Sequence, residues 1–372
     1  MTNLRTKLNK LPNQLLLAVI ITITSLLTVA PNADAARKKL SKDQEQSANS
    51  AEFVHFAQWK EVSEFIDQMV IKHDFDKAEL VNNFDKTRYI ESAIQLMKPA
   101  PGGRPKNWKA YRARFVDAHR IDAGIAFWDR YANALNRAEA QYGVPPDIIV
   151  GLIGVETVFG RNTGNFRVMD ALTTLAFAYP DTPTRTARME FFRSELENML
   201  LLSRESQVDP FSFKGSYAGA IGWSQFMPSS IRKFAVDFDG DGKIDLSGSP
   251  TDAIGSVANY LSLHGWKKNV PTVFPASLAI GDEQISLLDS FLGQGLRASY
   301  KLDELKTVAT TASQDAPESL LYGLVNLQNG NEPTEYWLAT DNFFAITQYN
   351  RSYFYAMSVI DLGKVIAAAR NK

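Results

Sequence analysis

The chain has 372 residues, 45% of them hydrophobic and 22% charged, with 40 basic against 41 acidic side chains and a formal net charge of −1. That length is enough for a large core and two or three subdomains, and the even balance gives no electrostatic footprint for nucleic acid. There is no cysteine, which excludes a Cys-linked lipid, disulfides, thiolate metal ligands and a cysteine nucleophile.

Arg5, Lys7 and Lys10 precede an uncharged apolar run from Leu15 to Ala30, and Ala33 and Ala35 then supply a small-x-small pattern. This is the build of a cleaved secretory signal over residues 1–36. The run is near the lower limit of about 17 residues for a membrane span, so a retained anchor is the competing reading. Residues 37–50 are polar and aperiodic and read as a tether, which leaves 51–372 as the folded region.

Phe53, Phe56, Val62, Phe65, Ile66 and Met69 recur at helical spacing between Glu52 and Ile71, predicting an amphipathic helix. Lys98–Asn107 is a Pro/Gly loop. One long helix is predicted through Gly124–Gly143, with Gly143 at the stop position. Pro145 and Pro146 open the next helix, running to Gly160. Further helices are predicted at about Ala187–Arg204 and at Ala253–Leu263, the latter closed by Gly265. Beyond Trp266, the apolar runs Val273–Ile280 and Leu321–Leu327 predict strands. Asn329-Gly330, between apolar runs, predicts a hairpin turn. A helix over Tyr353–Arg370 ends the chain. The fold class is mainly α, with a core at about 145–265 and a small mixed segment at about 267–345.

Glu156 is the only ionisable residue between Asp147 and Arg161, and Leu152, Ile153, Val155, Val158 and Phe159 surround it. A helix apolar on nearly all sides is buried. Desolvation would raise the carboxyl pKa, as a general acid working near neutral pH requires. A buried structural Glu paired with Arg161 would leave the same local pattern. Gly151, Gly154 and Gly160 each cost about 1 kcal/mol in a helix interior, so close packing or an approaching ligand is expected there.

Asp237, Asp239 and Asp241 fall at positions 1, 3 and 5 of an EF-hand loop, with Gly242 at the sharp turn and the Lys243 carbonyl at position 7. Position 12, where a bidentate Glu belongs, is Gly248. The next carboxylate, Asp252, either closes an extended calcium site or caps the helix that follows. A structural Ca²⁺ is expected.

GVETVFGRNTG (154–164), KGSYAGAIGWSQFMPSS (214–230) and VANYLSLHGW (257–266) together resemble the lytic murein transglycosylase B family, over almost the whole chain from about Phe53 onward. The resemblance implies a lysozyme-like fold and cleavage of peptidoglycan without water. Glu156 would act first as acid and then as base, leaving 1,6-anhydromuramic ends. It also implies that Ser216 and Gln225 line the glycan cleft, with glycines 215, 219 and 222 letting backbone approach a sugar. Tyr111, Tyr260, Tyr349, Asn350 and Tyr355 fall at positions that stack on or bond the sugars. Arg188 would face the acidic peptide or lactyl group, a role that Arg185 could share because the loop before it departs from the family pattern. A late Asp closing the calcium loop, here Asp252, is also a family feature. The implied setting is the periplasm, with glycan strands and cell-wall synthesis proteins as partners and no organic cofactor. A hydrolytic muramidase and a non-catalytic, calcium-bound wall-binding protein are the alternatives.

Overall fold

The computed structural model describes residues 55–99, 105–278, 284–312 and 316–372. The signal and tether expectations fall outside these residues. The first described helix, Lys60–His73, follows a short 3₁₀ turn at Phe56–Gln58. It buries Val62, Phe65, Ile66 and Met69, the stripe that the spacing picked out.

The helix predicted across Gly124–Gly143 is two helices, Ala118–Arg130 and Ala132–Tyr142. Tyr131 breaks it, at φ −113 and ψ 22. Periodicity continues through such a kink because the apolar face is kept, so the pattern alone does not reveal it. Gly143 ends the second helix at φ +74, as expected. The helix that follows Pro145 stops at Thr157 rather than Gly160, since Val158, Phe159 and Gly160 all adopt left-handed φ. The two remaining core helices run slightly longer than the patterns suggested, at Arg185–Ser206 and Pro250–Leu263.

The Pro146–Thr157 helix is the centre of the molecule. From Ile148 to Thr157 every residue except Glu156 is buried. The C-terminal helix, Tyr353–Arg370, packs along it. At their crossing, a Cβ on Gly151 would lie 2.2 Å from the Val359 carbonyl oxygen, and one on Gly363 would lie 2.1 Å from that of Asp147. Gly154 faces Phe159 and Leu362. The glycines of this helix therefore serve helix–helix approach and do not make room for a ligand. Val168–Phe177 is buried along its whole length, with Asp170 accepting from Arg167 and the Arg88 N–H and Thr174 accepting the Ile90 N–H, and it packs against the long Arg185–Ser206 helix.

Two short strands, β1 (Phe166–Arg167) and β2 (Lys214–Gly215), pair beside this core. The remaining strands are β3 (Val273–Leu278), β4 (Tyr300–Lys301), β5 (Ala309–Ala312), β6 (Leu321–Asn329) and β7 (Glu332–Ala339). They form an antiparallel sheet in the order β4-β6-β7-β3-β5. Phe274, Leu288, Phe291, Leu302, Leu305, Tyr322, Leu324 and Leu338 make a small core of their own for this lobe. The β6–β7 hairpin is present, but its turn is one residue later than predicted. Gly330 (φ +63) and Asn331 form the loop, and Asn329 pairs with Glu332 inside the ladder.

Candidate active site

Glu156 lies in the last turn of the buried helix, where its side chain meets the one break in the apolar cover. Tyr355, in the first turn of the C-terminal helix and 2% exposed, donates a 2.5 Å hydrogen bond to Glu156 Oε1. Ser352 caps that helix by accepting from the Tyr355 N–H, which fixes where the tyrosine stands. Burial pushes the Glu156 carboxyl up to about 7, against the lowering effect of the Tyr355 bond. Arg161, the alternative structural partner, contacts His119 instead.

Three further tyrosines gather here. Tyr349 donates to the Ser224 carbonyl and stacks on Tyr355, with centroids 6.5 Å apart and planes 14° from parallel. Tyr260 meets Tyr349 edge-on at 4.9 Å and donates a 2.8 Å bond to the Gln348 carbonyl. Tyr111 is pushed up to about 12 by burial and by the nearby Glu156 charge. Burial and the same carboxylate also raise Tyr349 and Tyr355 well above the ordinary phenol value. Protonated phenols beside an isolated carboxyl form a cluster that donates hydrogen bonds and offers ring faces. Asn350, next to Tyr349, keeps a buried Oδ1 without a partner.

The loop after β2 forms a second wall. Ser216 Oγ accepts from the Ala218 and Ala220 N–H groups, so its oxygen is used to hold the turn. Gln225 has φ +50, uncommon for a non-glycine residue. Its amide donates to the carbonyls of Thr163 and Gly222 at 3.1 and 2.9 Å. This ties the loop to the segment just beyond the Glu156 helix. Thr157, which the sequence reading passed over, makes the same link by donating to the Trp223 carbonyl. Its signal was only its position beside Glu156. The three loop glycines are needed for packing of the loop. A Cβ at Gly215, Gly219 or Gly222 would strike the Ala220 oxygen, Leu172 or the Leu246 oxygen.

Arg188 lies near the start of the long Arg185–Ser206 helix. It is partly buried, with its pKa lowered by desolvation and supported by neighbouring Tyr179. Tyr179 also raises Tyr217, the residue after Ser216. Arg185 meets the same tyrosine, its Nε donating to the Tyr179 carbonyl at 2.9 Å.

In the acidic loop, one carboxylate oxygen from each of Asp237, Asp239 and Asp252 lies within 4.8 Å of the others. Asp241 is not part of that cluster; it accepts the Lys243 N–H at 2.8 Å. Asp252 is 1% exposed and accepts from the N–H groups of Phe238, Asp239 and Asp245. It does not cap the following helix. Ser249 does, accepting the Asp252 N–H. Gly248, at the position of the missing Glu, has the Asp245 carboxylate 2.4 Å from where its Cβ would stand. A donor set made only of converging carboxylates suits a hard divalent cation.

The chain is 41% identical over 327 residues to the membrane-bound lytic murein transglycosylase B of Escherichia coli strain K12, covering 85% of each. The catenated lytic transglycosylase SltB1 of Pseudomonas aeruginosa superposes with a TM-score of 0.76 at 43% identity, over 85% of this chain and 99% of that one. Escherichia coli lytic transglycosylase Slt35 in complex with calcium superposes with a TM-score of 0.73 at 40% identity, over 85% and 96%. The family model described as the transglycosylase SLT domain matches residues 56–364, and the chain belongs to that family.

Proposed function

We propose that the protein is a peptidoglycan lytic transglycosylase of the cell envelope, with Glu156 as its one acid and base. The observation that carries this reading is the isolation of Glu156. Ordinary glycosidases use two carboxylates. Glu156 is the one ionisable residue of its buried helix beyond Asp147, and its carboxyl is bonded by the Tyr355 phenol.

The chemistry runs on that single group. Protonated Glu156 donates to the glycosidic oxygen beyond N-acetylmuramic acid, and the bond to C1 breaks. The substrate's own N-acetyl group steadies the positive charge left at C1. Ionised Glu156 then takes the proton of the C6 hydroxyl, whose oxygen closes on C1 to give the 1,6-anhydro ring. Closure within one sugar is worth about 7–11 kcal/mol over an intermolecular attack. Tyr111, Tyr260, Tyr349, Tyr355 and Asn350 grip the amino sugars, Ser216 and Gln225 line the opposite wall, and Arg188 receives an acidic substituent. Asp237, Asp239 and Asp252 hold a structural Ca²⁺, with Asp241 and the Lys243 carbonyl as further oxygen donors. The ion supplies cross-linking of the loop and no step of the reaction. The calcium complex of the Escherichia coli relative supports this.

Digestion of purified sacculi in ¹⁸O-labelled water tests the reaction. The expected products end in anhydromuramic acid with no heavy oxygen. Heavy oxygen at the new muramic ends would make the protein a hydrolytic muramidase, and no release at all would leave a wall-binding role.

A further inference from the structure

Asn329 is a polar residue at a hairpin end, a place where such residues usually face water, yet it is 2% exposed. The displaced turn is what buries it. One of its partners lies on another element. Oδ1 accepts the Lys109 N–H at 2.9 Å, and Nδ2 donates to the Pro333 carbonyl at 3.2 Å within its own hairpin. Gly330 N–H donates to the Lys106 carbonyl at 2.8 Å, Asn107 and Asn329 form an isolated β-bridge, and Lys109 pairs with Glu332.

These contacts converge on the helix Trp108–Arg112, which has only five residues. A helix that short is far below the length that holds in water alone. Its own cap, Asn107, satisfies the Ala110 N–H. The Lys109 N–H is another of the orphan donors at a helix start, and the β lobe supplies its acceptor. The same helix carries Tyr111. Phe354, the neighbour of Tyr355, lies 5.4 Å from the rings of both Trp108 and Tyr111.

We propose that Asn329 is a positioning residue that caps the Trp108–Arg112 helix from the β lobe and so holds Tyr111 against the Glu156 cleft. This rests on the reading above that Tyr111 grips the glycan. Without the cap, the helix frays and Tyr111 must be ordered by the incoming strand, which weakens binding and leaves the chemical step at Glu156 unchanged.

The test combines kinetics on soluble uncrosslinked glycan strands with amide hydrogen exchange on the full-length protein. Asn329→Ala is expected to raise KM roughly tenfold, in line with losing a helix cap, with kcat within about twofold of wild type. Asn329→Asp keeps the acceptor and is expected to restore most of the binding. In a Tyr111→Ala background the Asn329→Ala effect should vanish, because both changes remove one interaction. Amides of Lys109 and Ala110 should exchange faster in Asn329→Ala while those of Ile149–Val155 stay protected. Unchanged exchange at Lys109, additive kinetic effects, or an Asp variant no better than Ala would each overturn the proposal. Faster exchange together with a silent Tyr111→Ala would remove Tyr111 from the glycan grip, and the kinetic role of Asn329 with it.

Discussion

Glu156 and Asp237 are both carboxylates, and their surroundings push them in opposite directions. Glu156 stands alone in an apolar helix with one phenol bonded to it, and burial raises its pKa to about 7. Asp237 sits in an open loop, where the N–H of Gly242, followed by those of Gly240 and Asp241, holds it below the usual carboxylate range. One group keeps a proton available and the other keeps its charge. The difference lies in where the backbone donors point. A loop turns several N–H groups onto its own side chains, whereas a helix interior has none to spare.

The sharpest way to break this comparison is Glu156→Gln. The expected loss in sacculus digestion is 10²–10⁴-fold, the usual worth of general acid–base catalysis, with the fold intact. Loss below about tenfold would remove Glu156 from the reaction. Stability should move the other way. Between the ordinary carboxylate pKa and about 7, the folded protein holds a proton that the unfolded chain releases, so stability falls as pH rises through that window and is lowest above it. The glutamine variant escapes this penalty. It should be more stable than wild type at pH 8, by about 3 kcal/mol at most, and no different at pH 4.

The pH profile sharpens the same point. Catalysis needs protonated Glu156, so kcat/KM should be level on the acid side and fall tenfold per unit above about 7. Tyr355→Phe removes the bond that lowers this pKa, and the falling limb should move to higher pH. A limb that stays in place would show that the phenol does not set the proton affinity.

Calcium should act on stability alone. At 1 mM free ion and an affinity near 10⁻⁴ M, linkage gives about 1.4 kcal/mol, readable as a few degrees in thermal unfolding with and without EDTA. The pH limb of surviving activity should not shift, and a shift would couple the two sites. The smallest effect expected is from Ser249→Ala. It removes a helix cap worth about 1 kcal/mol and the hydroxyl that donates to Asp239 at 2.7 Å, and it should weaken calcium binding in the same titration.

The two sites were also unequally legible in the sequence. Asp237, Asp239, Asp241 and the glycines at 240 and 242 are close in the chain, so their spacing alone marks a cation loop. What spacing could not show is that Asp241 turns to Lys243 while Asp252 reaches back to three loop amides. Glu156 was legible for another reason, as a lone charge in an apolar run. Its partners Tyr355, Tyr349 and Tyr111 are far away in the chain and look like any core aromatic. Only the family resemblance singled them out. The break at Tyr131 and the displaced turn at Asn329 escaped because both depend on tertiary partners, which local propensity does not encode.

The crossing of the Glu156 helix with the C-terminal helix has a temporal side. The wall that covers Ile149–Val155 and the phenol that bonds Glu156 belong to residues 353–370, almost two hundred positions later in the chain. Until those residues are made, the Glu156 carboxyl lacks the Tyr355 hydroxyl and this part of its apolar cover. Assembly of the acid must wait for residues 353–370 to emerge and dock at Gly151 and Gly363. A chain clipped before Tyr353 would lack the phenol that bonds Glu156 and would therefore be inert.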